Sequence, residues 1–288
     1  MDKSENNFQI AVIGLGIIGG SMAYALRGFR SSKIIGCDIC EETREKAMKN
    51  KAVHSVTADP ATAVKDADLV IICVYPDMIA PVIAQCAPHF KQGAVITDVC
   101  GVKTEVARQI QKVLPDDVDY VGGHPMAGKE VDGFTNASPE LFWMTGFIVT
   151  PITTSKPDSI ALVKEMAHYI GATRITENSP EEHDAIIAYT SDLMHISAAA
   201  LCLDFHPKMN RAYTAGSFRD CTRIAQINPE LWTEIFLQNK KNTLTEIDRF
   251  LGSIQKLRST IESENREELK CLLSHVKENK ETMQKREV

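Results

Sequence analysis

Short apolar runs alternate with helical stretches through the first 175 residues of the chain. The apolar runs, which we interpret as strands, cover residues 8–13, 33–37, 69–74, 94–97, 120–123, 147–150 and 173–175. The run at 69–74 is apolar at nearly every position, as a strand buried on both faces requires. Helices are expected between the strands, at residues 17–26, 41–51, 102–113 and 159–170. This alternation predicts an α/β fold in which a parallel sheet carries helices on both faces.

The strand pattern stops after residue 178, and four helical segments follow. We place these segments at residues 180–204, 211–227, 229–250 and 264–280. The first begins at a capping box, because Ser179 precedes Pro180 and Glu182 stands three positions after the serine. We therefore predict two domains, a sheet domain over residues 1–176 and an all-α domain over residues 177–288. The last helix has an apolar stripe, which packs on its own core or pairs with a second subunit.

Charge and length exclude several classes of protein. The chain has 288 residues, with 32 lysines and arginines against 38 aspartates and glutamates, and so a net charge of −6. An acidic chain without a basic run is a poor candidate for binding nucleic acid or an anionic membrane. No apolar run approaches the roughly 20 residues that span a bilayer. We therefore expect a cytoplasmic protein whose partner is a small molecule.

The cysteines do not indicate a metal site. Eight are scattered along the chain, and Cys37 and Cys40 form the one pair at close spacing. Neither a second such pair nor two histidines at zinc spacing accompany them. We interpret the pair as structural, in a compartment that keeps thiols reduced, and expect no bound metal.

A glycine-rich segment stands where the first strand meets the first helix. It consists of Gly14, Leu15, Gly16, Ile17, Ile18 and Gly19. Its first glycine permits a tight turn, the second lets a pyrophosphate approach the backbone, and the third lets the helix pack against the sheet. The N–H groups that begin the helix would bind the phosphates. The spacing indicates a dinucleotide-binding fold of the Rossmann type, although a glycine-rich turn without a ligand has the same spacing.

The end of the second strand favours NAD over NADP. Asp38 follows Gly14 by 24 positions, where a carboxylate accepts hydrogen bonds from both ribose hydroxyls and repels a 2′-phosphate. The nearest following arginine is Arg44. Val74 and Tyr75, at the end of another strand, are candidate walls for the adenosine half of the cofactor, or else simply the turn into a helix.

Candidate catalytic chemistry follows the predicted strand at 120–123. His124 comes directly after two glycines, at the edge of the sheet where the nicotinamide would lie. An imidazole there accepts the proton of a substrate hydroxyl as the carbon that bears it is oxidised. A histidine before a proline in a loop is also a common structural feature.

The helical half supplies a second group of polar residues. Ser191 precedes His195 by one helical turn, and the two therefore share a face. Arg219 and Arg223 share another, a spacing suited to carboxylate binding, and Trp232 follows them. The alternative is a solvated charged face beside a core tryptophan.

Taken together, these motifs resemble the prephenate dehydrogenase family over about residues 8 to 250. The resemblance rests on the glycine-rich segment with Asp38 and on four further segments. These are residues 97–103 (Thr-Asp-Val-Cys-Gly-Val-Lys), 124–128 (His-Pro-Met-Ala-Gly) with Glu130, 183–195, and 218–225 (Phe-Arg-Asp-Cys-Thr-Arg-Ile-Ala) ahead of Trp232. Their order and spacing are more selective than any one of them.

The resemblance implies NAD-dependent oxidative decarboxylation of prephenate to 4-hydroxyphenylpyruvate in tyrosine biosynthesis, by a homodimer. It implies that His124 polarises the ring hydroxyl, and it adds Asp98 to the residues expected at the cofactor. Arg223 and His195 would bind a substrate carboxylate, and Arg219 would be a secondary anion contact. Glu130 would lie at the mouth of the pocket, with Trp232 as a wall.

Two positions depart from the family pattern. Family members often carry serine where this chain has Gly101, and a water or Ser191 would have to replace that hydroxyl. Asp192 stands where a histidine is common, and an acidic group near the substrate could favour arogenate, which bears an amino group.

Other functions remain open from the sequence. A β-hydroxyacid dehydrogenase or reductase has the same two-domain plan, and a dinucleotide sensor would keep the fold and lose the chemistry. Replacing His124 distinguishes the first of these, since only the proposed enzyme depends on that imidazole.

Overall fold

The computed structural model describes residues 8–204, 206 and 208–286. In these residues one eight-stranded sheet has the order β3-β2-β1-β4-β5-β6-β7-β8. The strands are β1 (Gln9–Ile13), β2 (Lys33–Cys37), β3 (Ser55–Thr57), β4 (Leu69–Ile72), β5 (Val95–Asp98), β6 (Asp119–Pro125), β7 (Gly146–Pro151) and β8 (Arg174–Glu177). The expected α/β class, with a doubly wound sheet followed by helices, is confirmed.

The sheet is parallel from β3 to β6, but β7 runs antiparallel to β6, so the expectation of a fully parallel sheet was wrong at this edge. Between these two strands the chain forms only two 3₁₀ turns, Phe134–Asn136 and Pro139–Phe142. A parallel return requires a crossover, usually a helix, that carries the chain back along the sheet. The two turns do not carry the chain back, so β7 begins at the end of the sheet where β6 finishes. It therefore runs in the opposite direction.

Six helices cover the two faces of the sheet. They are α1 (Ile17–Ala25), α2 (Glu41–Lys49), α3 (Pro60–Val64), α4 (Pro76–Cys86), α5 (Thr104–Ile110) and α6 (Pro157–Tyr169). Alternation along β1 sends Ile10 and Val12 into the core with α1, α2 and α6, and Ala11 and Ile13 into the core with α3, α4 and α5. The sheet is therefore buried on both faces. Strand order reverses between β1 and β4, and ligands of such sheets bind outside the carboxyl ends at this point.

The remaining helices are α7 (Pro180–Ile187), α8 (Leu193–Leu203), α9 (Gly216–Thr222), α10 (Pro229–Gln238), α11 (Lys240–Glu262) and α12 (Arg266–Arg286). The predicted capping box is present, since Ser179 Oγ accepts the Glu182 N–H and the Glu182 carboxylate accepts the Ser179 N–H, both at 3.1 Å. A π-helical turn, Ala188–Asp192, joins α7 to α8. The resulting helix Pro180–Leu203 is long and apolar enough to cross a membrane, although core helices of soluble proteins also meet this criterion.

The chain divides after Lys240 into two compact units, of which the first holds the sheet and the helices through α10. One cause is the attachment of α7 to the sheet domain. The Asp184 carboxylate accepts the backbone N–H groups of Lys103 and Thr104, both at 2.8 Å, where α5 begins. This division differs from the boundary at 176/177, which follows the change of secondary structure.

Candidate active site

The glycine-rich segment forms the turn between β1 and α1. Gly14 has φ of +87°, and a Cβ there would lie 2.5 Å from the carbonyl oxygen of Cys73. A Cβ on Gly19 would lie 1.8 Å from the Gly14 oxygen, so both glycines are required by the protein's own packing. A Cβ on Gly16, in contrast, would meet no protein atom within 4 Å. Glycine at 16 therefore leaves open space outside the turn, as a bound pyrophosphate requires.

The start of α1 is suited to an anion. Gly16 is the N-cap and provides no side-chain acceptor, and the first turn contains no acidic residue. The first N–H groups of the helix, at Ile17 and Ile18, therefore remain available to a ligand. Leu15 points the other way, into the core of the sheet, and is fully buried.

Asp38 lies beside this turn at the end of β2. Its Oδ2 accepts the Leu15 N–H at 2.8 Å, and its Oδ1 accepts the Cys40 N–H at 2.8 Å. The guanidinium of Arg44 donates to the main-chain oxygens of Asp38 and Ile39, at 2.8 and 3.0 Å. These bonds fix the carboxylate next to the open space at Gly16.

The end of β4 forms the opposite side of the turn. A Val74 methyl lies 3.2 Å from the Cβ position of Gly14. Tyr75 caps α4, and its side chain is 39% exposed. Its hydroxyl accepts a hydrogen bond of 3.1 Å from Asn228, a contact that the sequence did not predict. Their role as walls of a cofactor cleft stays a prediction.

Asp98 is placed differently from the expectation. It ends β5, is fully buried, and its carboxylate accepts the Cys100 N–H at 2.9 Å, the Tyr120 hydroxyl and the Lys103 ammonium. Although burial lowers the pKa of Lys103, Asp98 outweighs it and keeps that pKa raised, so the lysine stays charged. With these three partners the Asp98 carboxylate holds a buried cation instead of facing the cleft.

His124 stands near the carboxyl end of β6 as one member of a hydrogen-bonded row. Its Nδ1 lies 2.8 Å from Nε2 of His183, whose Nδ1 lies 2.8 Å from the carboxylate of Asp184. A carboxylate only accepts, so His183 Nδ1 carries the proton and its Nε2 is an acceptor. His124 therefore donates from Nδ1, and its Nε2 is left with a free lone pair.

Burial, more than the neighbouring charges, keeps both histidines neutral. Desolvation, His183 and the Lys103 ammonium hold the pKa of His124 well below its ordinary value. Desolvation also lowers the pKa of His183, although Asp184 acts in the opposite direction. His124 remains partly exposed. It can therefore act as a neutral base that a substrate can reach. Asp184 and Lys103 belong to the motifs singled out above, but only the packing shows how they support the histidine.

A second cluster lies on the helical half. The imidazole of His195 stacks on Trp232 with ring centroids 3.6 Å apart, and its Nδ1 donates to the Ser191 carbonyl at 3.0 Å. Desolvation lowers the pKa of His195, although the Ser191 carbonyl and Glu130 oppose it. Arg223 forms an ion pair with Glu130, which lies in the segment after His124. The expected substrate residues are thus brought together, apart from Arg219. Its side chain is exposed and makes no hydrogen bond or ion pair to the described residues.

The two departures from the family pattern occupy different surroundings. A Cβ on Gly101 would lie 3.7 Å from His124 Nε2, so a serine hydroxyl there would reach the imidazole. In the described part of the chain no hydrogen bond joins the Ser191 hydroxyl to His124. Asp192 is fully buried and accepts a bond of 2.9 Å from Asn239. Its carboxylate is thus held inside the protein by Asn239, and the argument for arogenate, which needs an acidic group near the substrate, stays a prediction.

Sequence models of one family match both halves of the chain. The model described as prephenate dehydrogenase, nucleotide-binding domain, matches residues 22–176, and the model described as prephenate dehydrogenase, dimerization domain, matches residues 179–275. The chain belongs to the prephenate dehydrogenase family. The first match begins after the glycine-rich segment, so the evidence for a cofactor at that turn is its own geometry.

Individual members of the family are similar over nearly the whole chain. A cyclohexadienyl dehydrogenase of Zymomonas mobilis is 36% identical, covering 94% of this chain and 93% of that protein. A prephenate dehydrogenase of Bacillus subtilis is 34% identical, covering 90% and 72%. The crystal structure of prephenate dehydrogenase from A. aeolicus, in complex with hydroxyphenyl propionate and NAD+, has a TM-score of 0.87 at 30% identity, covering 98% of this chain and all of that one.

Proposed function

We propose that the protein catalyses the NAD-dependent oxidative decarboxylation of prephenate to 4-hydroxyphenylpyruvate and carbon dioxide, a step of tyrosine biosynthesis. One observation supports the chemistry above all others. The row from Asp184 through His183 leaves His124 neutral, with an acceptor nitrogen at the edge of the sheet where the cofactor crevice opens. Family membership supports the choice of substrate and cofactor.

The chain's own residues would hold NAD at the turn after β1. The N–H groups at the start of α1 would bind the pyrophosphate across Gly16, and Asp38 would accept the ribose hydroxyls. Val74 and Tyr75 would flank the adenosine half. Asp98 would contribute indirectly, by holding the buried Lys103 ammonium. When bound, NAD accepts the hydride that the substrate carbon gives up.

His124 would take the proton of the ring hydroxyl. Its Nε2 accepts a hydrogen bond from that hydroxyl and then the proton itself as the carbon is oxidised. The carbon–carbon bond to the ring carboxylate then breaks and carbon dioxide leaves. Its electron pair completes the aromatic ring, and the ring oxygen takes the proton back from His124 Nε2. Aromatisation drives this step, so the protein has only to orient the ring and to accept and return one proton. Ser191 or a water would supply the hydroxyl that is missing at Gly101.

The helical half would bind the carboxylates. Arg223 would bind one of them when it exchanges its Glu130 partner for substrate, because a guanidinium holds a carboxylate in two parallel hydrogen bonds. His195 would assist, Trp232 would form the wall on which His195 stacks, and Arg219 would attract the dianion from outside. Prephenate has two carboxylates, and a protein with a net charge of −6 needs such a local cationic site.

The assembly and the location are also proposals. A homodimer through the helical half is supported by the description of the second matching domain, and the boundary at 176/177 by where the two matches end and begin. We place the enzyme in the cytoplasm. The buried His183, Asp184 and Asp192 on the helix Pro180–Leu203 support packing within a protein over a lipid environment for that helix.

The test is NADH absorbance with prephenate and with arogenate, each offered NAD and NADP. We expect the highest kcat/KM for prephenate with NAD. A higher value for arogenate would favour the second candidate function, that of an arogenate dehydrogenase. The structure of an arogenate dehydrogenase from Synechocystis, with a TM-score of 0.82 at 28% identity, supports testing this substrate. No turnover of either substrate by a protein that binds NAD would overturn the proposal.

The variant His124→Asn separates this chemistry from that of a β-hydroxyacid dehydrogenase. The amide has no basic nitrogen, so we expect kcat to fall by about 10²- to 10⁴-fold while the Kd of NAD is kept. An enzyme that uses a lysine of the helical half as its acid or base would retain its rate.

A further inference from the structure

The side chain of Asn228 connects three segments of the protein. Its Nδ2 donates to the hydroxyl of Tyr75 and to Oδ2 of Asp132, each at 3.1 Å. Its Oδ1 accepts the N–H of Leu231, also at 3.1 Å, and so caps α10. Both amide hydrogens and the amide oxygen are therefore used.

Each of these segments belongs to a different part of the site. Tyr75 is the N-cap of α4, just after the strand β4 that flanks the glycine-rich turn. Asp132 lies in the segment of residues 126–133, the Glu130 loop, which leaves the sheet directly after His124. The helix α10 carries Trp232, the stacking partner of His195. A displacement of any one of the three segments would thus strain the hydrogen bonds that the Asn228 amide makes to the other two.

The Glu130 loop is held to the helical half at two points, by Arg223 at Glu130 and by Asn228 at Asp132. The ion pair is more than half exposed on its arginine, so it is weak and is open to exchange with a substrate carboxylate. The Asn228 contact uses none of the side chains expected to bind substrate. It would remain in place while Arg223 changes its partner.

We propose that Asn228 is a positioning residue that couples the cofactor site to the substrate pocket. Tyr75 fixed against bound cofactor holds Asn228, and Asn228 then holds the Glu130 loop and the start of α10 in the arrangement that receives substrate. The inference rests on the proposed function for the identity of the two ligands. It predicts that each ligand strengthens the binding of the other, since linkage between two sites is reciprocal.

The experiment measures the Kd of NAD by calorimetry, with and without saturating hydroxyphenylpropionate. For the unaltered protein we expect the second ligand to tighten NAD binding by about fivefold or more, which is the lower end of usual couplings between sites. In Asn228→Asp the oxygen that caps α10 is kept, but both donors are lost and a second carboxylate faces Asp132. We expect the ratio of the two Kd values to fall close to one.

Two further variants make the result specific. Asn228→Ser keeps a capping oxygen but does not reach Tyr75 or Asp132, so it should lose the coupling without adding a charge. Asn210→Asp makes the same chemical change at another cap. Among the described residues, the Asn210 side chain has one hydrogen-bond partner, the Ala212 N–H at 2.9 Å. This control should keep the ratio of the unaltered protein.

The outcomes are distinct. If the unaltered protein shows no coupling, or if Asn228→Asp and Asn228→Ser both keep its ratio, the proposal is overturned. If Asn228→Asp does not fold, Asn228→Ser decides alone. If the unaltered protein neither binds hydroxyphenylpropionate nor reduces NAD with prephenate, the proposed function fails and the coupling fails with it. A purely structural role would lower the melting temperature and weaken both ligands without changing the ratio.

Discussion

Replacing Gly101 by serine tests the site at the position where this chain departs from its family. A Cβ at this position would lie 3.7 Å from both Cε1 and Nε2 of His124 and 3.8 Å from a methyl of Ile235. These are ordinary van der Waals contacts, and Gly101 does not have a positive φ. The side chain therefore enters without strain, with its hydroxyl within reach of the free lone pair of the imidazole.

The expected gain follows from one hydrogen bond. A serine hydroxyl would donate to His124 Nε2, accept from the substrate hydroxyl, and pass the proton between them. A neutral hydrogen bond contributes about 0.5–1.5 kcal/mol, which corresponds to a rise of about 2- to 12-fold in kcat. Because a side chain at Gly101 also restricts the unfolded chain, we expect a gain in stability of up to about 1 kcal/mol.

The assay is the steady-state rate of NADH formation, with Gly101→Ala as the matched control. Alanine supplies the same Cβ and the same restriction of the unfolded chain, but no hydroxyl, so it should raise the melting temperature and leave kcat near that of the unaltered protein. An equal change of kcat in the two variants would show that the hydroxyl has no role. A fall in kcat for serine alone would show that it competes with the substrate for Nε2, which refutes the proton path.

Three further predictions concern the neighbouring charges. Asp184→Asn removes the charge that orients His183, and we expect kcat to fall by about 10- to 100-fold, the value of a charge-assisted hydrogen bond, with an unchanged Kd for NAD; an unchanged rate would contradict the row. Asp38→Asn removes the repulsion of a 2′-phosphate, so the preference for NAD over NADP in kcat/KM should fall about tenfold, and a preference that does not change would contradict its role. The folded-state pKa values of His124 and His183 lie below that of a free histidine, so the free energy of unfolding should fall as the pH drops below about 6.5. The value of kcat/KM should decline over the same acidic range, and a decline that begins above that pH would contradict neutral histidines.

Local sequence patterns were sufficient for most of the sheet domain. The runs of apolar residues identified seven of the eight strands. The signal is strongest in a central strand such as β4, because burial on both faces leaves a pattern that depends on the strand alone. They missed β3, which has only three residues at the edge of the sheet, and they could not give the direction of β7. That direction depends on the end of the sheet at which residues 126–145 deliver the chain to β7, and not on the composition of the strand.

The cofactor turn and the catalytic row show the same contrast. Sequence by itself determined the glycine-rich turn and the position of His124 after a strand, since both depend on backbone conformation over a few residues. Only the tertiary structure decided which nitrogen of His124 is free, because His183 lies 59 residues away along the chain and the Asp184 carboxylate that orients it is fixed by the start of α5. It also turned the carboxylates of Asp98 and Asp192 inward. Protonation and burial depend on neighbours that packing brings together, and no local pattern carries that information.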